Sequence, residues 1–285
     1  MGGSGFVGTE VAKYFALHNY IVSSPPSNLL DITKIDSIKK YSENNDVIVN
    51  LAGYADVKSA TLNINGPAWK LNVEGVRNVA KVCKQTGKYL IHISTDAVFP
   101  FDKYGPHSEL EKIVNYPKFN NPYGFTKLQG EIEINKSEAK AAIIRISYPF
   151  GNPHLPNKDY VMKIIKLIKL GYPLYTDQQL TPTYLKSLPE MIERLIELRL
   201  SGIFHWVCKG STTPYKIGSL VNKELSVKLK IKKDSLYKNE ETVDKHYYAK
   251  SGGLTTDITE GRINLKPPTW EDAIRDFMPT LKDNI

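Results

Sequence analysis

Gly2-Gly3-Ser4-Gly5-Phe6-Val7-Gly8 runs without a break into Thr9-Glu10-Val11-Ala12-Lys13-Tyr14-Phe15-Ala16-Leu17. The second stretch has helical periodicity, so the glycines at 2, 5 and 8 sit in a loop that opens a helix. This Gly-x-x-Gly-x-x-Gly spacing lets backbone approach a pyrophosphate and aims a helix N-terminus at it. Such a loop is meaningful after a strand, yet Met1 stands where an apolar run of roughly five or six residues belongs. We therefore expect an α/β fold built on a doubly wound parallel sheet, Rossmann-like, with its first strand missing through a truncated or misplaced start. Losing a central strand would leave its neighbours with unpaired backbone groups and an apolar slot.

Outward from the loop, the chain alternates candidate strands and helices. Tyr20-Ile21-Val22-Ser23-Ser24 reads as the second strand, ending in serines where a carboxylate would hold a ribose 2'-hydroxyl and repel a 2'-phosphate. That ending permits NADP, with no arginine selecting it, so the cofactor is expected to be NADP or NAD with NADPH slightly preferred. Asp31, followed by Ile32, is either a contact for an adenine amine or a turn or capping aspartate. Asp46 to Asn50 is a buried strand, and Leu51, Ala52 and Gly53 form a small-residue turn where backbone can lie against a ligand. Pro67 to Cys83 reads as one long helix. Lys88 to Ile93 and Ala141 to Ser147 are strands, Leu188 to Leu200 a helix, and Gly202 to Val207 a further strand. A helix with Val161, Ile164, Ile165 and Ile168 on one face follows the break at Tyr148-Pro149-Phe150-Gly151-Asn152-Pro153. We expect a dinucleotide-binding domain over 1–147 and 180–208 and a smaller, largely C-terminal substrate lobe over 148–179 and 209–285.

Composition narrows the class. A chain of 285 residues with 41% hydrophobic and 24% charged residues can bury one large core or two modest ones. No apolar run reaches the roughly 20 residues of a membrane span, and no leader resembles a secretory signal, so a cytoplasmic protein with no membrane partner is expected. The net charge of +8 comes mostly from lysines spread over helix faces, without arginine-aromatic interleaving. This argues against nucleic acid and is compatible with an anionic metabolite. Neither Cys83 nor Cys208, the latter in an expected strand, belongs to a Cys-x-x-Cys pair. His18, His92, His107, His154, His205 and His246 lack metal-ligand spacing, so buried thiols and no metal are expected.

The chemistry concentrates in Asn120-Asn121-Pro122-Tyr123-Gly124-Phe125-Thr126-Lys127-Leu128-Gln129-Gly130-Glu131. The asparagines can cap and Pro122 suits a first helical turn, which places Tyr123 and Lys127 on one helix face. An ammonium about 6 Å away would favour phenolate by roughly two pKa units, bringing Tyr123 into range for proton transfer. The plainer reading is an aromatic packed on a helix beside a solvated lysine. Ser94-Thr95-Asp96 closes a strand at the end where parallel sheets bind ligands, so Thr95 could hydrogen-bond a substrate carbonyl. A lone Ser-Thr-Asp is more usually an ordinary turn.

Taken in order, the glycine loop, Asn50-Leu51-Ala52-Gly53, Ser94-Thr95-Asp96 and Tyr123-x-x-x-Lys127 resemble the extended short-chain dehydrogenase/reductase family. Ser94-Thr95-Asp96-Ala97-Val98-Phe99, Asp177-Gln178-Gln179-Leu180-Thr181-Pro182-Thr183 and Gly202-Ile203-Phe204-His205 look most like its dTDP-4-dehydrorhamnose reductase branch. The likeness covers nearly the whole chain and weakens after Lys216. Phe6, Leu180 and Lys250-Ser251 replace the branch's usual Gln, Gly and Arg-Pro. Ala97 stands where the family's 4,6-dehydratases place a catalytic Glu.

The resemblance implies NAD(P)H-dependent reduction of a keto group on a nucleotide-linked deoxysugar. Thr95, Tyr123 and Lys127 would be catalytic, with Thr95 and Asp96 on the sugar. Gly2, Gly5, Phe6, Val7, Asp31, Ile32, Leu51, Ala52 and Gly53, with Tyr123 and Lys127, would hold the cofactor. Lys127 would reach its nicotinamide ribose. A nucleotide-sugar substrate and a homodimer are the implied partners. Two alternatives from the same family are a non-catalytic regulator resembling the regulatory subunit of methionine adenosyltransferase and a nucleotide-sugar epimerase.

Overall fold

A computed structural model describes residues 1–101, 104–114, 121–225, 228–236 and 252–281. In chain order its elements are α1 (Phe6–Leu17), α2 (Ile35–Ser42), β1 (Val47–Asn50), α3 (Pro67–Trp69), a π-helical turn (Lys70–Gly75), α4 (Val76–Thr86) and β2 (Tyr89–Thr95). Next come α5 (Pro122–Ser137), β3 (Ala141–Ile146), β4 (Pro149–Phe150), α6 (Tyr160–Lys169), β5 (Pro173–Tyr175), β6 (Thr183–Tyr184), α7 (Leu188–Leu198) and β7 (Gly202–His205). The chain finishes with α8 (Pro214–Glu224), β8 (Lys232–Asp234), α9 (Asp257–Ile263) and α10 (Trp270–Phe277).

The main sheet is parallel, in the order β1-β2-β3-β7. Every residue of β3, and of β2 up to Ser94, is buried, because helices cover both faces of the sheet. On one face, α1 and α7 pack Val11, Phe15, Met191 and Leu195 against Ile91, Ile144 and Phe204. On the other, Ile38, Val79 and Val82 meet Ile48, Leu90 and Ile143. Each fully buried aliphatic side chain contributes about 1.5–3 kcal/mol. A second core joins Phe150, Ile164, Ile168, Tyr184, Ile217, Phe277 and Leu180 beside the sheet, while Ile263 packs into the first.

The expected strand Tyr20–Ser24 does not form. Residues 19–26 have no regular structure, and Ile21 is 95% exposed. Among the described residues, no strand lies outside β1 to give it a ladder partner, and an isolated extended segment keeps its backbone groups in water. Among the described residues, only Met1 extends the sheet there, donating to the Val49 carbonyl at 2.9 Å and accepting from the Leu51 amide at 3.0 Å. A cavity of about 140 Å³, lined by Val11, Phe15, Ile21, Val47 and Val49, occupies the remaining slot.

Two further expectations change. The helix expected over Pro67 to Cys83 is interrupted by the π turn at Lys70–Gly75, which carries Asn72 inward. Cys208 lies beyond the end of β7 rather than within a strand. Both cysteines are buried free thiols, and burial pushes each up to about 12. Asn120 and Lys250-Ser251 fall outside the described residues.

Candidate active site

The site is built where the carboxyl ends of β1, β2 and β3 meet the start of α5. Asn121 caps α5: its side-chain oxygen accepts from the Gly124 amide at 2.9 Å, and Pro122 occupies the first turn, where a missing N–H costs nothing. Its amide nitrogen donates to the Ala97 carbonyl at 3.1 Å, tying the helix start to the turn after β2. That turn is held in place by Thr95, whose hydroxyl accepts from the Ala97 amide at 3.2 Å and donates to Asp96 at 3.1 Å. Ser147 donates to the other Asp96 oxygen at 2.5 Å. Burial raises the Asp96 carboxyl, and the Ser147 and Thr95 hydrogen bonds oppose that shift.

Tyr123 and Lys127 face the same cleft, which Thr95 also lines. The direction expected for the phenol is reversed. Burial pushes Tyr123 up to about 12, aided by the nearby Asp96 charge and opposed by the Thr95 hydrogen bond. Burial lowers the Lys127 amine to about 8, with Glu131 opposing, so at neutral pH it stays largely an ammonium. The amine donates to the Ile93 carbonyl at 2.8 Å and lies 3.5 Å from His92 Nε2. Glu131 is engaged elsewhere, in a two-pronged pair with Arg145 at 3.0 and 2.7 Å and a bond from Ser94 at 2.5 Å.

Around these groups lies a cleft of about 950 Å³ whose lining includes Gly5, Phe6, Val7, Leu51, Ala52, Gly53, Thr95, Asp96, Tyr123 and Lys127. The glycine loop suits a phosphate. The N-terminus of α1 has no side-chain cap, and a Cβ on Gly8 would lie 2.1 Å from the Gly2 carbonyl oxygen. Gly2 sits behind the lining, at φ +73° against the backbone of Leu51 and Ala52. A Cβ on Gly53 would come within 3.9 Å of the Lys127 amine, so this turn lies directly against the lysine. Asp31 and Ile32 are not brought to the cleft. Asp31 accepts from the Thr33 amide at 2.9 Å and the Thr33 hydroxyl at 2.7 Å, as a turn aspartate does, and Ile32 is buried in the core against Gly75.

Several residues act at the site without having shown a sequence signal for it. Asn72 accepts from the Tyr54 amide at 2.9 Å and donates to the Tyr54 carbonyl at 3.1 Å and the Thr126 hydroxyl at 3.0 Å, clamping the Gly53 turn to α5. Asn152 donates to the Phe6 carbonyl at 2.9 Å and Thr9 at 2.8 Å, fastening the segment after β4 to the glycine loop. Tyr148, Tyr160 and Lys163 also line the cleft. Among the described residues, no cluster of three or more histidine, cysteine or carboxylate side chains could hold a metal.

A parallel sheet with a glycine-loop helix and a Tyr-x-x-x-Lys helix converging on one cleft is the architecture of the extended short-chain dehydrogenase/reductases. Within that class, the sequence model of the RmlD substrate binding domain family matches residues 1–282, and the chain belongs to this family. The chain is 26% identical over 204 residues to the dTDP-4-dehydrorhamnose reductase of Mycobacterium tuberculosis (strain ATCC 25618 / H37Rv), an alignment spanning 70% of this chain and 66% of that protein. The dTDP-4-dehydrorhamnose reductase of Aggregatibacter actinomycetemcomitans is 25% identical over 97% of this chain and 96% of its own length. In structure, the dTDP-4-dehydrorhamnose reductase of Bacillus anthracis in complex with NADP superposes with a TM-score of 0.84 at 24% identity, covering 98% of this chain and 97% of that one.

Proposed function

We infer that the protein is an NAD(P)H-dependent reductase acting on a keto group of a nucleotide-linked deoxysugar. The observation that carries this reading is the convergence of the glycine loop, the Leu51–Gly53 turn, Thr95, Tyr123 and Lys127 on one cleft of about 950 Å³. The name carried by a relative aligned along 97% of the chain supports it. A reduced nicotinamide, when bound, supplies the hydride. Tyr123, kept protonated, gives its proton to the oxygen of the reduced carbonyl, and Thr95 orients that oxygen. Asp96 holds the Thr95 hydroxyl and is the candidate contact to the sugar. Lys127, against Gly53, is the candidate for the nicotinamide ribose.

Gly5, Phe6 and Val7 would hold the pyrophosphate at the uncapped start of α1, backed by Gly2. Ser24 stands beside this loop where a carboxylate would repel a 2'-phosphate: a Cβ on Gly3 would lie 1.8 Å from its hydroxyl oxygen. That supports NADPH ahead of NADH. The same reading assigns 1–147 and 180–208 to the cofactor and 148–179 and 209–285 to the substrate.

The test is to follow the near-ultraviolet absorbance of NADPH and NADH with a small panel of nucleotide 4-keto-sugars. Loss of absorbance with at least one sugar is expected. Cofactor binding without turnover, together with a co-purifying enzyme, would instead indicate a regulatory subunit. Retained NAD with no net consumption would indicate an epimerase.

A further inference from the structure

We propose that His92 is a positioning residue for Lys127, linking the lysine amine through Asn50 to the turn at Leu51–Gly53. This rests on the reductase reading only for its effect on turnover. His92 and Asn50 are both fully buried on neighbouring strands, paired through Asn50↔His92 in the β1–β2 register. The ring has one nitrogen toward each neighbour: Nε2 lies 3.5 Å from the Lys127 amine and Nδ1 lies 3.2 Å from the Asn50 amide nitrogen. Asn50 is oriented by its other end, where its oxygen accepts from the Ala52 amide at 3.2 Å.

The imidazole therefore stands between two donors, whereas a neutral ring has one donor and one acceptor nitrogen. One neighbour has to yield. With Nε2 protonated, Lys127 is a free amine that accepts from the ring, and Asn50 keeps its bond to Ala52. With Nδ1 protonated, Lys127 is an ammonium that donates to Nε2, and Asn50 turns its oxygen to the ring and releases the Ala52 amide. The proton count of Lys127 and the anchoring of the cofactor turn are coupled through one tautomer.

The other titratable groups near the amine leave this role to His92. Glu131, one turn along α5, is bound by Arg145 and Ser94. Asp96, on the turn after β2, is bound by Ser147 and Thr95. Tyr123, on the same helix, is pushed up to about 12 by burial and stays a neutral phenol where the lysine titrates. Among the described residues, no carboxylate forms an ion pair with Lys127. Burial keeps His92 well below the ordinary histidine range, so the ring stays neutral while the lysine, lowered to about 8, exchanges its proton.

The experiment measures the pH dependence of Lys127 acylation by a small anhydride, read by mass spectrometry, in the wild type, His92→Phe and His92→Gln. Phenylalanine fills the site but offers no acceptor, so the labelling midpoint should fall by roughly one pH unit; glutamine, which can accept, should restore it. With a keto-sugar substrate, His92→Phe should lower kcat about tenfold or more while leaving the KM for the sugar nearly unchanged, and His92→Gln should recover most of it. An unchanged midpoint in folded His92→Phe overturns the proposal. If His92→Phe does not fold, the ¹⁵N shifts of His92 in the wild type decide. A change of protonated nitrogen across the Lys127 titration is expected, and a constant tautomer overturns the assignment. If the wild type reduces no keto-sugar, the labelling and ¹⁵N results still decide the role of His92, and only the reductase reading fails.

Discussion

A phenol held near 12 is a proton donor at neutral pH, the form in which a reductase's acid must start. Burial, rather than a neighbouring ammonium, sets the resting state of Tyr123. Lys127 stands more than two pKa units below an ordinary lysine, a cost of roughly 3 kcal/mol that the surrounding fold sustains. Tyr123→Phe keeps the ring and deletes the acid. It is expected to reduce turnover by about 10²–10⁴-fold while sparing NADPH affinity, measured by cofactor fluorescence. Retained turnover would remove Tyr123 from the chemistry.

At the scale of elements, α5 is precise because its back is packed against the π turn. Gly130 lies against the Asn72 carbonyl so closely that a Cβ there would come within 2.3 Å of the oxygen. Backbone cannot yield as a flexible side chain can, so Gly130→Ala should push α5 outward, costing about 1–3 kcal/mol in urea unfolding and lowering turnover. Unchanged stability would show that α5 has room to move. The helix itself was legible in the sequence, since Asn121, Pro122 and the four-residue spacing of Tyr123 and Lys127 are local signals. The π turn was not. Its extra residue is accommodated by contacts such as Asn72 to Thr126, which join positions 54 apart in the chain.

The whole molecule carries buried neutral bases, and its stability should follow them. His205, fully buried, is lowered to about 3, and His92 also lies well below its usual range. Between those values and about 6.5 the unfolded chain binds more protons, so stability is present above pH 6.5 and is lost as pH falls. From pH 6.5 to 5.5 the two rings together should cost roughly 2 kcal/mol, a drop of about 3 °C in Tm. Asp96 and Asp159, raised by burial, act in the opposite sense nearer the carboxylate range. Thermal scans across this window check the prediction, and His205→Gln should flatten the slope by about half. A Tm that does not change would show that neither ring must take up a proton on unfolding.

By itself, the sequence determined whatever depends on near neighbours. The apolar-rich runs of β2, broken at His92, and β3, broken at Arg145, specify strands, the glycine spacing specifies a loop opening α1, and the Tyr-x-x-x-Lys spacing specifies one helix face. Only the tertiary structure decided that 20–24 stays out of the sheet, because a strand exists through its ladder partner. It also decided that Asp31 serves its own turn, that Tyr123 rises rather than falls, and that His92, Asn72 and Asn152 support the cleft. Each of those outcomes is set by burial or by a hydrogen bond whose partner, orientation and competitors are defined only when the chain has packed.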